Sequence, residues 1–291
     1  MNPGETLGIV GESGSGKSMT ALSILNLVPE PGRISSGQIL FKDRDVITMT
    51  SGELHEYRGG DVSMIFQDPM TSLNPVLRVG FQIEEAMRAH SRFNSRQAKD
   101  RVVPLLERVR IPSPQQRARD YPHQFSGGMR QRAMIAMGLA NEPSLLIADE
   151  PTTALDVTVQ AQILELLKDL NRELGTAIIL ISHNVAVISS LCSRVMVMYA
   201  GRVVEAGPTR KVFDHPEHPY TWSLLRSVPR VDGDTSERLS AIEGLPPDLI
   251  DMPDACPFAP RCSFVMERCW DERPRLRDVG EDHRIACFAD L

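Results

Sequence analysis

The sequence lacks a long apolar run, a surplus of basic residues and a leader-like start. No stretch of the 291 residues approaches the roughly 20 apolar residues that span a bilayer, so we expect a soluble or peripheral protein. The formal net charge is -6, which does not favour nucleic-acid binding, because that function usually leaves a basic surface. The first residues show no basic stretch followed by an apolar one, so we do not expect secretion.

Cysteine is also scarce until the last part of the chain. Of the five cysteines, Cys192 is the one outside the group formed by Cys256, Cys262, Cys269 and Cys287. We expect Cys192 to be a buried structural thiol and the other four to share a single role. Their spacing, Cys-x5-Cys-x6-Cys-x17-Cys, does not match the Cys-x2–4-Cys pairs of most zinc sites.

A glycine-rich loop near the start carries the strongest functional signal. It reads Gly11-Glu12-Ser13-Gly14-Ser15-Gly16-Lys17-Ser18, with Met19 next to it. Its glycines let successive backbone N–H groups converge on a phosphate, the lysine adds a positive charge, and the serine hydroxyl is placed to bind Mg²⁺. A simple Gly-rich turn is the alternative. A strand predicted over Thr6–Val10 and a helix over Met19–Val28 supply the setting of a P-loop.

A second apolar segment, Ser144–Glu150, ends in two carboxylates. In a chain that has a P-loop, Asp149 can hold Mg²⁺ through water and Glu150 can polarise an attacking water molecule. The alternative is that the two acids lie at a solvent-exposed strand end and have no role in catalysis. Because a P-loop precedes this segment, we predict a nucleotide-hydrolysing site.

Two shorter signals are weak when taken alone. Ser126-Gly127-Gly128 precedes a helix-favouring stretch and can present a hydroxyl and bare amides to an anion, although such a triplet is also a common turn. His183 directly follows the strand predicted over Ala177–Ile181, where open parallel sheets bind ligands. A lone histidine is more often an ordinary surface or core residue.

The remaining pattern predicts alternating helices and strands. Two or three helices are expected between Val79 and Val109, ended by prolines that include Pro114, and a long helix over Val157–Leu174 that stops at Gly175. A hairpin is predicted from Met196 to Ala206, with a turn at Gly207-Pro208.

Taken together, the motifs resemble those of ABC transporter ATPases. The Gln67 loop, Ser126-Gly127-Gly128, Asp149-Glu150, Asp156 and His183 follow the order of that family at roughly its spacings, over about residues 3–207. The resemblance implies an α/β P-loop NTPase fold, a mainly parallel sheet with an inserted helical subdomain. We place the ATPase domain at 1–207, the helical subdomain at about 76–140, and a small cysteine-containing C-terminal extension at 208–291.

The resemblance also implies a role for each site residue. Gly11 to Met19 would bind ATP; Ser18, Gln67 and Asp149 would hold Mg²⁺; Glu150, Gln67 and His183 would be catalytic; Ser126, Gly127 and Gly128 would contact the nucleotide of a partner in trans; and Asp156 would lie at the dimer interface.

Finer features narrow the branch of the family. The segments from Gln67 to Pro75, Tyr121 to Met129 and His218 to Thr221 resemble the ATPase subunits of oligopeptide, dipeptide and nickel importers. We therefore expect an ATP-hydrolysing subunit for peptide import, peripheral on the cytoplasmic face of the cell membrane. The implied partners are two transmembrane permease subunits, a second ABC ATPase that is a sister or an identical chain, and an extracytoplasmic solute-binding protein.

Two other functions remain as alternatives. A nickel or other small-solute importer of the same branch shares these motifs. A soluble, non-transport ABC ATPase would predict a coiled-coil insertion or a basic surface, and the sequence has neither.

Some members of this branch carry a [4Fe-4S] cluster on the extension, so the resemblance implies that Cys256, Cys262, Cys269 and Cys287 hold one. Disulfides are not expected in a reducing cytosol, and zinc or free thiols remain the alternatives. Prolines and charges between these cysteines favour a loop around a cofactor over regular structure.

The chain departs from the family pattern in two places. Phe125 and Met129 flank Ser-Gly-Gly where the family usually has leucine and glutamine. The family also carries some tens of residues before the P-loop, including an aromatic residue that stacks on adenine. We therefore expect the upstream reading frame to encode further strands.

Overall fold

The computed structural model describes residues 1–67, 72–90, 92–153, 155–227, 242–250 and 252–289. Contacts divide the chain into two units. Unit 1 comprises Met1–Glu5 and Ala21–Ile179, and unit 2 comprises Thr6–Thr20 and Leu180–Leu291. The predicted domain limits at 1–207, 76–140 and 208–291 stay predictions. Residues 68–71 of the predicted Gln67 loop lie outside the described residues.

Helices and strands alternate along the chain, as in an α/β protein. The helices are α1 (Lys17–Ile24), α2 (Ser51–Tyr57), α3 (Val79–Ala89), α4 (Ser95–Arg108), α5 (Pro114–Arg117), α6 (Gly127–Leu139), α7 (Val157–Leu174), α8 (Val185–Leu191), α9 (Thr209–Asp214), α10 (Pro219–Arg226) and α11 (Arg268–Asp271). The strands are β1 (Thr6–Val10), β2 (Leu40–Phe41), β3 (Arg44–Asp45), β4 (Val62–Ile65), β5 (Leu145–Asp149), β6 (Ala177–Ile181), β7 (Arg194–Tyr199), β8 (Arg202–Pro208), β9 (Arg277–Gly280) and β10 (His283–Ile285). Within the described ranges, no helix combines the length and apolar character needed to cross a membrane.

Where boundary signals are local, the predicted and observed elements agree. Helix α7 has the predicted bounds, because Asp156 caps its first turn and Gly175 ends it with a left-handed φ of 64°. Helix α1 is shorter than predicted and ends at Ile24. The reason is a turn in which Asn26 has a φ of 51° and the Leu27 N–H donates to the Leu22 carbonyl at 2.7 Å.

Unit 1 contains a parallel strand pair and a set of packed helices. Strands β4 and β5 pair in parallel, with Val62 opposite Leu145 and Ile65 opposite Ala148. Helices α3 and α4 account for the helices predicted between Val79 and Val109. Pro114 does not simply end them as predicted, because it occupies the first turn of α5, where its missing N–H costs nothing.

Unit 2 contains β1 and the C-terminal strands. Strand β1 pairs in parallel with β7, and β7, β8, β10 and β9 follow in antiparallel order. The turn predicted at Gly207-Pro208 is wrong, because both residues belong to β8. The loop expected between the cysteines is also wrong in part, because β9 and β10 lie between Cys269 and Cys287 and β10 adds to β8 with Arg284 opposite Ala206.

Candidate functional site

The loop after β1 is held in a tight conformation in unit 2. Gly11 cannot be replaced without movement, since a Cβ there would lie 2.2 Å from the Met198 carbonyl oxygen. The Lys17 ammonium donates to the carbonyl oxygens of Gly11 and Glu12, both at 2.9 Å. The β7–β8 turn supports the other side of the loop, where the Gly201 N–H donates to the Ser15 carbonyl at 3.0 Å. This is the strand, loop and helix arrangement that the sequence predicted.

The loop contains a buried hydroxyl beside several exposed groups. The Ser15 side-chain oxygen is buried and has no hydrogen-bond partner in the described part of the chain, and the residue is 4% exposed. Unpaired buried hydroxyls are rare because each costs free energy. The adjoining Ser13, Gly14 and Ser18 are exposed. Together with the N-terminus of α1, they offer donors that a bound phosphate can satisfy.

Glu12 is held from the C-terminal extension, a feature that the sequence did not predict. Its backbone N–H donates to the Tyr220 hydroxyl at 2.8 Å. Its two carboxylate oxygens accept from the guanidinium of Arg261 at 2.7 and 3.0 Å. Tyr220 belongs to the His218 to Thr221 segment noted above, and Arg261 precedes Cys262. Neither position in the sequence predicts a contact with the P-loop.

The Glu150 side chain is held in a defined position in unit 1. It follows β5 with a φ of 47°, a left-handed conformation that is uncommon for residues other than glycine. Its Oε2 atom accepts hydrogen bonds from Gln67 Nε2 and Thr153 Oγ1, both at 3.0 Å. Asp149, the preceding residue, is buried at the end of β5 with 6% exposure. The structure thus brings Gln67 and Glu150 together and adds Thr153, which a Thr three positions after the acid could have indicated.

The Ser-Gly-Gly segment opens α6, as predicted. Ser126 is exposed and caps the helix, accepting a hydrogen bond from the Met129 N–H at 3.3 Å. Gly128 packs against α7, where an added Cβ would lie 2.7 Å from Val159 Cγ1. Asp156 accepts from the Val159 N–H at 2.9 Å and so caps α7. Its predicted place at a dimer interface stays a prediction.

His183 lies just past β6 in unit 2. The preceding Ser182 donates its N–H to the Ile9 carbonyl at 3.1 Å, which places this segment beside the end of β1. The His183 side chain is exposed. This location agrees with a ligand-contacting role at the carboxyl end of parallel strands, and the role itself stays a prediction.

The four C-terminal cysteines line one small cavity in unit 2. Its volume of about 10 Å³ has room for about one water molecule. Burial raises the pKa of Cys262 to about 11 and also raises the pKa of Cys256 and Cys287, so these side chains are thiols at neutral pH. Among the described residues, no group of three or more potential ligands is arranged to hold a metal ion. The donor chemistry suits a metal centre, whereas the present spacing does not.

Cys192 is buried in the ATPase part of the chain, as predicted. It is 5% exposed and ends α8. Burial raises its pKa to about 12, so it is an unreactive thiol.

Comparison with protein families decides the identity of the fold. The family described as "ABC transporter" matches residues 1–153. This chain belongs to the ABC transporter family. A second family, described as "Oligopeptide/dipeptide transporter, C-terminal region", matches residues 204–269. The predicted α/β P-loop fold is therefore confirmed, and the chain is an ATP-hydrolysing ABC subunit.

Individual relatives agree with this assignment. Oligopeptide transport ATP-binding protein OppD of Bacillus subtilis (strain 168) is 50% identical over 286 residues, covering 98% of this chain and 80% of that protein. OppD of Escherichia coli (strain K12) is 50% identical over 288 residues, covering 99% and 85%. A solved dimeric ATP-binding cassette, described as a post-hydrolysis state bound to ADP and Pi, has a TM-score of 0.62 and 28% identity over 72% of this chain and 88% of that one.

Proposed function

We propose that this ABC subunit hydrolyses ATP to energise the import of di- or oligopeptides. The observation that carries the hydrolytic part is the Glu150 carboxylate, which is fixed by Gln67 and Thr153 at the end of a buried strand. The peptide substrate is supported by the oligopeptide transport proteins that are 50% identical over nearly the whole chain.

Each residue of the site has a chemical task. The loop from Gly11 to Met19 binds the phosphates of ATP, with Lys17 as the positive charge. Ser18, Gln67 and Asp149 are the residues that would hold the Mg²⁺ that accompanies ATP, which neutralises phosphate charge. Glu150 orients and polarises the attacking water, and His183 contacts the γ-phosphate.

A second ATPase subunit completes the site in trans. Ser126, Gly127 and Gly128 lie at the N-terminus of α6, where Ser126 and Gly127 are exposed, and the hydroxyl and backbone amides there suit the phosphate of a partner's nucleotide. Asp156 lies at the contact between the two subunits. The dimeric cassette with bound ADP and Pi supports this arrangement. The partner is a sister ATPase or a second copy of this chain.

The remaining partners place the subunit at a membrane. Two transmembrane permease subunits provide the path for the peptide, and an extracytoplasmic solute-binding protein delivers it. The subunit then lies on the cytoplasmic face of the cell membrane, and the helices α3 to α6 carry its motion to the permeases.

Changing Glu150→Gln tests the hydrolytic assignment. The amide keeps the size of the side chain but cannot polarise water as a carboxylate does. We expect ATP to remain bound and turnover in the assembled transporter to fall by about a hundredfold or more, the scale of lost general-base catalysis. Phosphate release and nucleotide binding are measured on the same sample.

Glu165→Gln is a matched control, because Glu165 is an exposed acid on α7. Its turnover should equal that of the parent. A Glu150→Gln transporter that hydrolyses ATP at the parent rate would show that Glu150 is not the base.

The same ATPase measurement distinguishes the transported solutes. ATPase activity that is stimulated by nickel with its binding protein, but by no peptide, would favour the nickel importer.

We further propose that Cys256, Cys262, Cys269 and Cys287 hold a [4Fe-4S] cluster. The support is their common cavity and the preference of such clusters for four thiolates. Since the cavity now has room for about one water molecule, loading requires the surrounding loops to separate. The raised pKa values of three of the thiols mean that metal binding must release protons.

Anaerobic purification of the full chain tests this proposal. We expect brown protein with absorbance at about 400 nm and about four irons per chain. Serine at any of the four positions should reduce the iron content, whereas Cys192→Ser should not. One tightly held zinc, or four freely titrating thiols without metal, would overturn the cluster.

A further inference from the structure

Arg261 is a buried charged side chain of the C-terminal extension whose N–H donors are all paired. Its side chain is 5% exposed. Two of its N–H groups donate to the Glu12 carboxylate at 2.7 and 3.0 Å, and a third reaches the Tyr199 hydroxyl at 3.2 Å. The others donate to the carbonyls of Glu243 at 2.9 Å and Ile242 at 3.3 Å. A guanidinium has five N–H donors, and here each has an acceptor.

Rigid packing surrounds this contact. The rings of Tyr199, Tyr220 and Phe258 pack against one another, with centroids 4.6 to 5.4 Å apart. All three residues are no more than 1% exposed. Arg261 lies over the Tyr199 ring, and the Tyr220 hydroxyl accepts from the Glu12 backbone. Both the backbone and the side chain of this P-loop residue are therefore fixed by the extension.

The charge of Glu12 makes this contact relevant to ATP binding. Glu12 is an acidic residue inside a loop that binds polyphosphate, and an unpaired carboxylate there would repel the nucleotide. The guanidinium draws both carboxylate oxygens toward the extension and neutralises them. The Glu12 carbonyl meanwhile accepts from the Lys17 ammonium, so displacement of Glu12 would also disturb the phosphate-binding lysine.

We propose that Arg261 is a positioning residue for ATP: by pairing with Glu12, it keeps a negative charge away from the phosphates and sets the nucleotide affinity of the P-loop. The C-terminal extension thereby acts on the ATP site of its own subunit. The inference rests on the P-loop being the ATP site and is independent of the proposed cluster.

The first test is binding of a fluorescent ADP analogue with Mg²⁺ to the full chain. Arg261→Gln should weaken binding about tenfold, since a unit charge within roughly 10 Å at an effective dielectric of about 20 changes the affinity for an anion by about that factor. Arg261→Lys keeps the positive charge but loses the bidentate contact with the Glu12 carboxylate, so it should weaken binding by less than about threefold. In the assembled transporter, the KM for ATP should rise while kcat changes little.

A double variant separates electrostatic positioning from a merely structural role. Adding Glu12→Gln to Arg261→Gln removes the unpaired carboxylate and should restore most of the affinity. If Arg261 served the fold alone, the second substitution would restore nothing, and the proposal would fail. Thermal unfolding of each variant identifies any loss of folded protein.

Arg268→Gln is the matched control in the same extension. Arg268 pairs with Glu272, but both side chains are more than half exposed. Its nucleotide affinity should equal that of the parent. Parent protein that binds no nucleotide would refute the ATP site itself, whereas tight binding by both the parent and Arg261→Gln would refute only the role of Arg261.

Discussion

Among single residues, Gly128 shows how packing and function can require the same small side chain. It lies in the Ser-Gly-Gly segment proposed to contact a partner's nucleotide, and it also packs on α7. A Cβ at this position would lie 2.7 Å from Val159 Cγ1, closer than real Cβ atoms approach. The neighbouring Gly127 has ordinary space, with 3.6 Å from a new Cβ to Leu155 Cδ2.

This contrast predicts different effects of two similar substitutions on stability. Gly128→Ala forces α6 and α7 apart and should lower the free energy of unfolding by about 1 to 3 kcal/mol, as overpacking does. Gly127→Ala should leave it within about 0.5 kcal/mol, because it meets no close neighbour. Urea unfolding of the two purified variants measures both values. A loss for Gly128→Ala within about 0.5 kcal/mol would contradict this, because it would mean that α7 can shift at little cost.

At the scale of an element, α10 begins at a buried polar cluster. His218 caps the helix, and its Nδ1 atom accepts from the Tyr220 N–H at 3.0 Å. The backbone N–H groups of Glu217 and His218 donate to the buried Glu205 carboxylate at 2.8 and 3.2 Å. His283 Nε2 lies 2.7 Å from the same carboxylate. The start of α10 is thereby tied to β8 and β10.

Burial lowers the pKa of His218 from 6.5 to about 4, and a hydrogen bond to the Ala286 backbone opposes this only in part. Below about pH 6.5 His218 is protonated in the unfolded chain but stays neutral in the folded chain. The contribution of neutral His218 to the free energy of unfolding is therefore complete above pH 6.5, and it is lost as the pH falls toward 4. The full loss corresponds to about 3 kcal/mol.

His218→Asn should remove this pH dependence while keeping an acceptor for the cap. The free energy of unfolding of the parent should fall more steeply than that of the variant between pH 6.5 and 4. Burial raises the pKa of Glu205, so protonation of Glu205 favours the folded state as the pH falls, which is opposite to the effect of His218. The parent and the variant share this effect, so it does not change the comparison. Parallel curves for parent and variant would contradict a neutral, buried His218.

At the scale of the whole molecule, the sequence predicted the features that have local causes. Strand β1 is a short apolar run before a glycine loop, and α7 has a capping acid at its start and a glycine at its end. The P-loop and the acids after β5 were found in the same way, since their function depends on neighbouring positions. The geometry adds that Gln67 and Glu150 meet directly.

The features that were missed depend on distant partners. Strand β10 has three residues and exists because β8 offers it an edge, so its own sequence carries little strand signal. In the sequence, Arg261 is one of several charged residues near the prolines and Cys262, and no neighbouring residue indicates that it pairs with Glu12. Such a pair could be found only by knowing the packing of unit 2.

The contact between Glu12 and Arg261 also has a consequence for how the protein is made. The two residues are 249 positions apart, so Glu12 leaves the ribosome well before Arg261 does. At a synthesis rate of about 5 to 20 residues per second, roughly 12 to 50 seconds pass before Arg261 follows Glu12 out of the ribosome. During that interval the Glu12 carboxylate has no guanidinium to neutralise it. If Arg261 sets the affinity of the P-loop, a nascent chain should acquire its full affinity for ATP only after synthesis has passed the extension.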